Sequence, residues 1–124
     1  MRVLVVEDND AVRVMLQNIL TDEGHAVALS DGRDPIVALV VEQQPDAIIL
    51  DLGLPVVSGE VLLENLWQDE RTRAIPVILS SAWRGRMIDA HRAAEGRRPL
   101  FLLPKPFTLD ELFEVLDQAT LYTR

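Results

Sequence analysis

The sequence predicts one domain of the α/β class, in which five parallel strands alternate with five helices to form a doubly wound sheet. Strand patterns and helical patterns alternate strictly, five times over 124 residues, which implies right-handed β-α-β crossovers. Four of the strand patterns are short, uninterrupted apolar runs, as expected of strands buried on both faces of a parallel sheet. The length is close to the commonest domain size. We therefore predict a single domain over residues 1–124.

The first half of the chain supplies three predicted strands and two helices. The strands are expected at Val3–Val6, Ala26–Leu29 and Ala47–Leu50. Between the first two, apolar residues recur at helical spacing, with Asp10 placed to cap this helix and Gly24 to stop it. The second helix is predicted to have Asp34 as its N-cap and Pro35 at its first helical position, and to end before Pro45.

The second half continues the alternation. A turn over Pro55–Gly59 is followed by a third helix containing Val61, Leu62 and Leu66, a strand over Ile75–Ser80, a helix over Arg84–Glu95, and a strand over 100–103. The fourth helix is the weakest, because Gly85 lies near its start and its apolar face is mostly Met87, Ile88 and alanines. In the last helix, Thr108 and Glu111 form a capping box.

Composition excludes several classes of function. The formal net charge of -8 disfavours a sequence-independent grip on nucleic acid and docking on an anionic membrane surface. The chain has no cysteine, so disulfides and thiol chemistry are excluded. No apolar run approaches the ~20 residues of a membrane span, and the opening residues are already a strand rather than a signal peptide. We expect a cytoplasmic protein, either free-standing or N-terminal in a longer chain.

Polar residues follow four of the predicted strands at their carboxyl ends. They are Glu7 and Asp8, Asp51, Ser81, and Lys105. In open α/β sheets, ligands bind beyond this edge. Like charges ~4 Å apart repel by about 4 kcal/mol at an effective dielectric near ~20, so three clustered carboxylates need a cation. Carboxylates without His or Cys favour Mg²⁺ over zinc or copper.

Taken singly, each of these residues has an ordinary structural interpretation. An acidic pair after a strand is more often a solvated loop, Asp51 alone fits a turn cap, Ser81 a loop hydroxyl, and Lys105 a surface lysine. The joint placement of all five at one sheet edge favours a phosphate-and-metal pocket. A carboxylate is a competent nucleophile toward phosphorus.

The chain resembles the receiver domain of two-component response regulators over nearly its whole length. Four motifs carry the resemblance: VLVVEDND, IILDLGLPVVSG, VILSSA and LPKPF. It implies a flavodoxin-like sheet of strand order 2-1-3-4-5, and a switch rather than an enzyme. It also implies that Asp51 accepts a phosphoryl group from a histidine kinase or a histidine phosphotransfer protein, and that a downstream protein reads the result.

The resemblance assigns roles to the other site residues. Mg²⁺ would be held by Asp8, Asp51 and the carbonyl of Gly53, with Glu7 acting through water. Lys105 would pair with the phosphoryl group, and Ser81 would swing in to bind it. The Lys105–Pro106 bond is expected to be cis, which proline permits.

The chain departs from the family at Ser81, where threonine is usual, and at position 102. Leu102 stands where Tyr or Phe is usual, and Phe101 should point to the opposite face of the strand. This departure leaves open a degenerate receiver that acts only as a docking module. A Mg²⁺-dependent aspartyl phosphatase is a further alternative, disfavoured because Gly53 stands where those enzymes carry a second acid. Trp83, two residues after Ser81, either rests on the neighbouring loop or shields the pocket.

Overall fold

A computed structural model describes residues 1–94 and 99–123 and confirms the predicted α/β architecture. The strands are β1 (Arg2–Val6), β2 (Ala26–Ser30), β3 (Ala47–Leu50), β4 (Val77–Leu79) and β5 (Leu100–Leu102). The helices are α1 (Asp10–Asp22), α2 (Ile36–Gln43), α3 (Gly59–Gln68), α4 (Arg84–Ala94) and α5 (Leu109–Thr123). All strand pairs are parallel, and the strand order is 2-1-3-4-5, as the resemblance implied.

The sheet separates two hydrophobic clusters, because successive side chains of a strand point to opposite faces. On one face, Leu4 and Ile48 pack with the buried residues of α2, α3 and α4. On the other, Val5 and Ile49 pack with those of α1 and α5. Burial on both faces accounts for the uninterrupted apolar runs in the sequence.

The helix ends agree only in part with the predicted caps. The N-cap of α1 is Asn9, whose side chain accepts from the Val12 N–H at 3.0 Å; the prediction of Asp10 was wrong, since Asp10 is already helical. Gly24 follows α1 with a φ of 87°, a left-handed conformation that glycine adopts without strain. The capping box of α5 is confirmed, with Thr108 and Glu111 bonded reciprocally at 2.9 and 3.1 Å.

The predictions for α2 and α4 also needed correction. Pro35, rather than Asp34, is the N-cap of α2 and makes no side-chain cap bond, while the Asp34 carboxylate accepts from the Ser30 hydroxyl at 2.9 Å. In α4, Ile88 is 47% exposed rather than inward, because the buried positions are Met87 and two alanines. The predicted last residue of that helix, Glu95, lies outside the described residues.

Strand β4 is shorter than the predicted range. It spans Val77–Leu79. The strand begins after Pro76 because proline has no N–H to donate to a neighbouring strand. Within the described part of the chain, no helix is both long and apolar enough to cross a membrane.

Candidate functional site

Backbone hydrogen bonds beyond the strand ends bring the predicted site residues to one edge of the sheet. The Asp51 N–H donates to the Val6 carbonyl at 3.0 Å, and the Lys105 N–H donates to the Ser81 carbonyl at 2.9 Å. Both bonds continue the pairing of neighbouring strands beyond their ends, so residues far apart in sequence leave the sheet side by side. This is where ligands bind in open parallel sheets.

Three carboxylates meet at this edge. One oxygen each from Glu7, Asp8 and Asp51 lies within 4.8 Å of the other two. Glu7 and Asp51 are buried, at 4% and 8% exposure, whereas Asp8 is exposed. An all-oxygen donor set of this kind suits a hard divalent cation, so the residues present fit Mg²⁺.

Lys105 supplies positive charge to the same cluster. Its Nζ lies 3.1 Å from a Glu7 carboxylate oxygen and 3.9 Å from one of Asp51. Burial, and after it the neighbouring Asp51 carboxylate, raises the pKa of Glu7, while the ammonium group of Lys105 opposes that rise. The Lys105–Pro106 bond is cis, as predicted.

Gly53 and Ser81 line the open pocket beside Asp51, which measures about 250 Å³ and which we call the Asp51 pocket. Gly53 lies two residues after Asp51, and its N–H donates to the Asp51 carboxylate at 3.3 Å. Ser81 is buried, and its Oγ accepts from the Trp83 N–H at 3.0 Å. The hydroxyl is thus bonded to the start of α4.

Trp83 lies at the mouth of the Asp51 pocket and is 54% exposed. A Cβ built on Gly53 would lie 3.3 Å from Cζ3 of the Trp83 ring. The ring therefore rests on the loop after β3, which was the structural role predicted for Trp83. It also borders the pocket, as the alternative role of a shield requires.

Two features of the site escaped the sequence reasoning. Gly59, the first residue of α3, packs so closely on the end of β3 that a Cβ there would lie 2.3 Å from the Asp51 carbonyl oxygen. Arg86 of α4 pairs with Glu60 of α3, 26 residues away, with a distance of 2.6 Å from Nε to the carboxylate. Nothing in the spacing of these residues signals either contact.

Leu102 and Phe101 point to opposite faces of β5, as predicted. Leu102 packs against the cluster that contains α2, α3 and α4. Phe101 packs against the cluster that contains α1 and α5, and its ring meets that of Tyr122 edge-on, with centroids 6.4 Å apart. Phe101 therefore does not replace the aromatic residue that position 102 lacks.

Comparisons with known proteins agree with this architecture. Residues 3–117 match the family model described as the response regulator receiver domain. The sensory/regulatory protein RpfC of Xanthomonas campestris is 32% identical over the whole of this chain, which spans 17% of that protein. The transcriptional regulatory protein TcrA of Mycobacterium tuberculosis is 37% identical over 90% of this chain, which spans 43% of TcrA.

Two solved structures share the fold over almost the whole chain. A response regulator from Chloroflexus aurantiacus superposes with a TM-score of 0.84, at 26% identity, covering 99% of this chain and 98% of that one. The receiver domain of a sensor histidine kinase from Pseudomonas aeruginosa superposes with a TM-score of 0.79, at 27% identity, covering 94% of both chains. The latter has a magnesium ion coordinated in its active-site cleft.

Proposed function

This chain belongs to the response regulator receiver domain family, and we propose that it accepts a phosphoryl group on Asp51 and acts as a switch. One observation carries the proposal: a buried aspartate lies close to two further acids and a lysine, beside an open pocket. Acids packed this closely are costly without a cation. Their presence beside a lysine favours a working site over a module that only docks.

The residues of the Asp51 pocket supply the chemistry of transfer. With a phosphohistidine as donor, an Asp51 carboxylate oxygen forms the new bond to phosphorus. The bond from phosphorus to the histidine nitrogen breaks, and that nitrogen keeps the electron pair. Lys105 lies close enough to Asp51 to neutralise charge on the transferring oxygens. Attack by a carboxylate oxygen requires no proton to be removed from the nucleophile, so no general base is needed and positioning does most of the work.

We also propose a metal site. Asp8, Asp51 and the Gly53 carbonyl would hold Mg²⁺, with Glu7 acting through water. When bound, the ion neutralises charge on the transferring group. The three clustered carboxylates and the magnesium in the receiver domain from Pseudomonas aeruginosa support this assignment.

The phosphoryl donor we propose is a phosphohistidine on a histidine kinase or on a histidine phosphotransfer protein. A downstream protein would read the phosphorylated state, and direct binding of nucleic acid by this domain is disfavoured by its charge of -8. The loops after β4 and β5 would exist in more than one arrangement, and Ser81 and Lys105 would contact the phosphoryl group in only one of them. Phosphorylation would therefore increase the population of that arrangement.

Labelling with acetyl phosphate in the presence of Mg²⁺ tests the acceptor. We expect intact-mass analysis to show one added phosphoryl group in the parent protein and none in Asp51→Asn. The control Asp89→Asn, which changes an exposed acid on α4, should be labelled like the parent. Equal labelling of Asp51→Asn and the parent would show that the acceptor lies elsewhere.

A further inference from the structure

Arg86 of α4 links three segments around the Asp51 pocket. Its guanidinium group makes a two-point pair with the Glu60 carboxylate of α3, and one of its Nη atoms donates to the Leu52 carbonyl at 3.2 Å. The guanidinium carbon of Arg86, Cζ, lies 4.4 Å from the centre of the Trp83 ring. A planar guanidinium can make both contacts at once, since it forks toward a carboxylate and stacks on an aromatic ring.

The ring that Arg86 contacts lies over Gly53. A Cβ built at Gly53 would lie 3.3 Å from Cζ3 and 3.5 Å from Cη2 of Trp83, and 3.8 Å from the nearer Asp51 carboxylate oxygen. Gly53 itself has no side chain to close that side of the pocket. The indole ring is therefore the group that borders Asp51 there.

The backbone of Trp83 is joined to the pocket by a second contact. Its N–H donates to the buried Ser81 hydroxyl at 3.0 Å. A change in the position of that hydroxyl therefore removes a hydrogen bond from the residue that carries the ring. Trp83 therefore contacts the pocket through both its ring and its backbone.

We propose that Arg86 and Glu60 are positioning residues that hold Trp83 as a cover on the Gly53 side of the Asp51 pocket, and so lengthen the lifetime of the phosphoryl group. The inference rests on the proposed function of Asp51 as acceptor. In the loss of the phosphoryl group, a water oxygen forms a bond to phosphorus in line with the bond to the Asp51 oxygen, which breaks, and inorganic phosphate and the Asp51 carboxylate result. An apolar ring beside Gly53 would keep water from approaching on that side.

A purely structural role for the pair gives a different expectation. A partly exposed ion pair contributes little to folding, and the side chains of Arg86 and Glu60 are each 36% exposed. A structural pair would therefore affect stability slightly and the phosphoryl lifetime not at all. A positioning pair affects the lifetime and the exposure of the Trp83 ring.

Two measurements on Arg86→Met test the proposal, with Arg84→Met as the control because Arg84 is an exposed arginine in the same helical turn. The first is acrylamide quenching of Trp83 fluorescence in a Trp67→Phe background, which needs no phosphoryl group. The second is the decay of the phosphorylated protein after removal of acetyl phosphate. Circular dichroism checks that each variant is folded.

We expect Arg86→Met to raise both the quenching constant and the decay rate, the latter roughly two- to fivefold, the factor that corresponds to losing an exposed cation–π contact. Glu60→Ala should act in the same direction, the double variant should add little, and Arg84→Met should match the parent. Unchanged quenching in Arg86→Met would overturn the positioning role. Increased quenching with unchanged decay would overturn the effect on lifetime. A parent protein that is never labelled would instead overturn the proposed function, and with it the effect on lifetime.

Discussion

The ammonium group of Lys105 lies 3.1 Å from the carboxylate of Glu7, a residue 98 positions away in the chain. Lys105 is thus closer to Glu7 than to Asp51, whose carboxylate lies 3.9 Å away. The ammonium group of Lys105 therefore forms ion pairs with two buried acids. Since three acids share this one ammonium group, a bound cation would relieve the repulsion among their carboxylates.

Mg²⁺ should stabilise the protein for this reason. Binding to the folded state alone adds about 2.7 kcal/mol to the free energy of unfolding at a concentration ~100 times Kd. Without Mg²⁺, Asp51→Asn should be more stable than the parent, because one of the three clustered charges is gone. Urea unfolding with and without Mg²⁺ measures both effects. An unfolding midpoint unmoved by millimolar Mg²⁺ at neutral pH would contradict the metal site.

Gly59→Ala should destabilise the protein and disturb the acceptor. A Cβ there would lie 2.3 Å from the Asp51 carbonyl oxygen and 2.6 Å from the Leu52 Cα, so backbone must shift at a cost of roughly 1–3 kcal/mol. Gly85→Ala is the matched control, since no atom lies within 4 Å of its added Cβ. That change should be neutral or stabilising by up to about 1 kcal/mol. If urea unfolding found the two variants equally stable, the close approach at Gly59 would be wrong.

The stability contributed by the Glu60–Arg86 pair should depend on pH. Hydrogen bonds from Arg86 hold the pKa of Glu60 below its ordinary value of 4.5, with burial opposing. A lowered folded pKa means that the contribution is present above the unfolded pKa and is lost as pH falls through the folded one. The difference in unfolding free energy between the parent and Glu60→Gln, measured without Mg²⁺, should therefore shrink below about pH 4.5.

Arg86→Met provides the control for that pH dependence. In its background, the effect of Glu60→Gln on the unfolding free energy should depend less on pH, because the hydrogen bonds from Arg86, the largest cause of the lowered pKa of Glu60, are gone while a lesser backbone hydrogen bond remains. A pH dependence as large as that in the parent background would show that Arg86 is not the main cause of the lowered pKa of Glu60.

Trp83→Ala should shorten the phosphoryl lifetime while leaving Mg²⁺ affinity nearly unchanged. The ring borders the Asp51 pocket on the side where Gly53 leaves it open, yet no carboxylate ligand is altered. The rate of phosphoryl loss and a Mg²⁺ titration report the two properties separately. A decay as slow as that of the parent, or slower, would mean that the ring only packs on the loop.

Helix α4 should respond most to a phosphoryl mimic such as beryllofluoride. Its buried side chains are Met87, Ala90 and Ala94, which bury little apolar area, and weakly packed segments open at low free energy. Ser81 and Trp83 connect this helix to the pocket. Hydrogen exchange should therefore change in α4, and changes confined to α1 would contradict the mechanism.

The sequence by itself determined the order of elements and the set of polar residues at the sheet edge. Buried parallel strands must be apolar throughout, so runs such as Ala47–Leu50 are visible without a structure. Asp51 and Lys105 could then be predicted as site residues, because ligands in such sheets bind beyond the carboxyl ends of the strands. The capping box of Thr108 and Glu111 could also be predicted from the sequence, since it depends on two residues only three positions apart.

Only the tertiary structure decided which residues meet across elements. Asn9 and Asp10 are both good capping residues, but the backbone at Asn9 is extended and Asp10 is already helical, so Asn9 is the cap. The pairing of Arg86 with Glu60 and the approach of Gly59 to Asp51 depend on how α3 and α4 pack on the sheet. Such contacts leave no periodic signal, because residue spacing encodes the face of an element and not its distance from the next one.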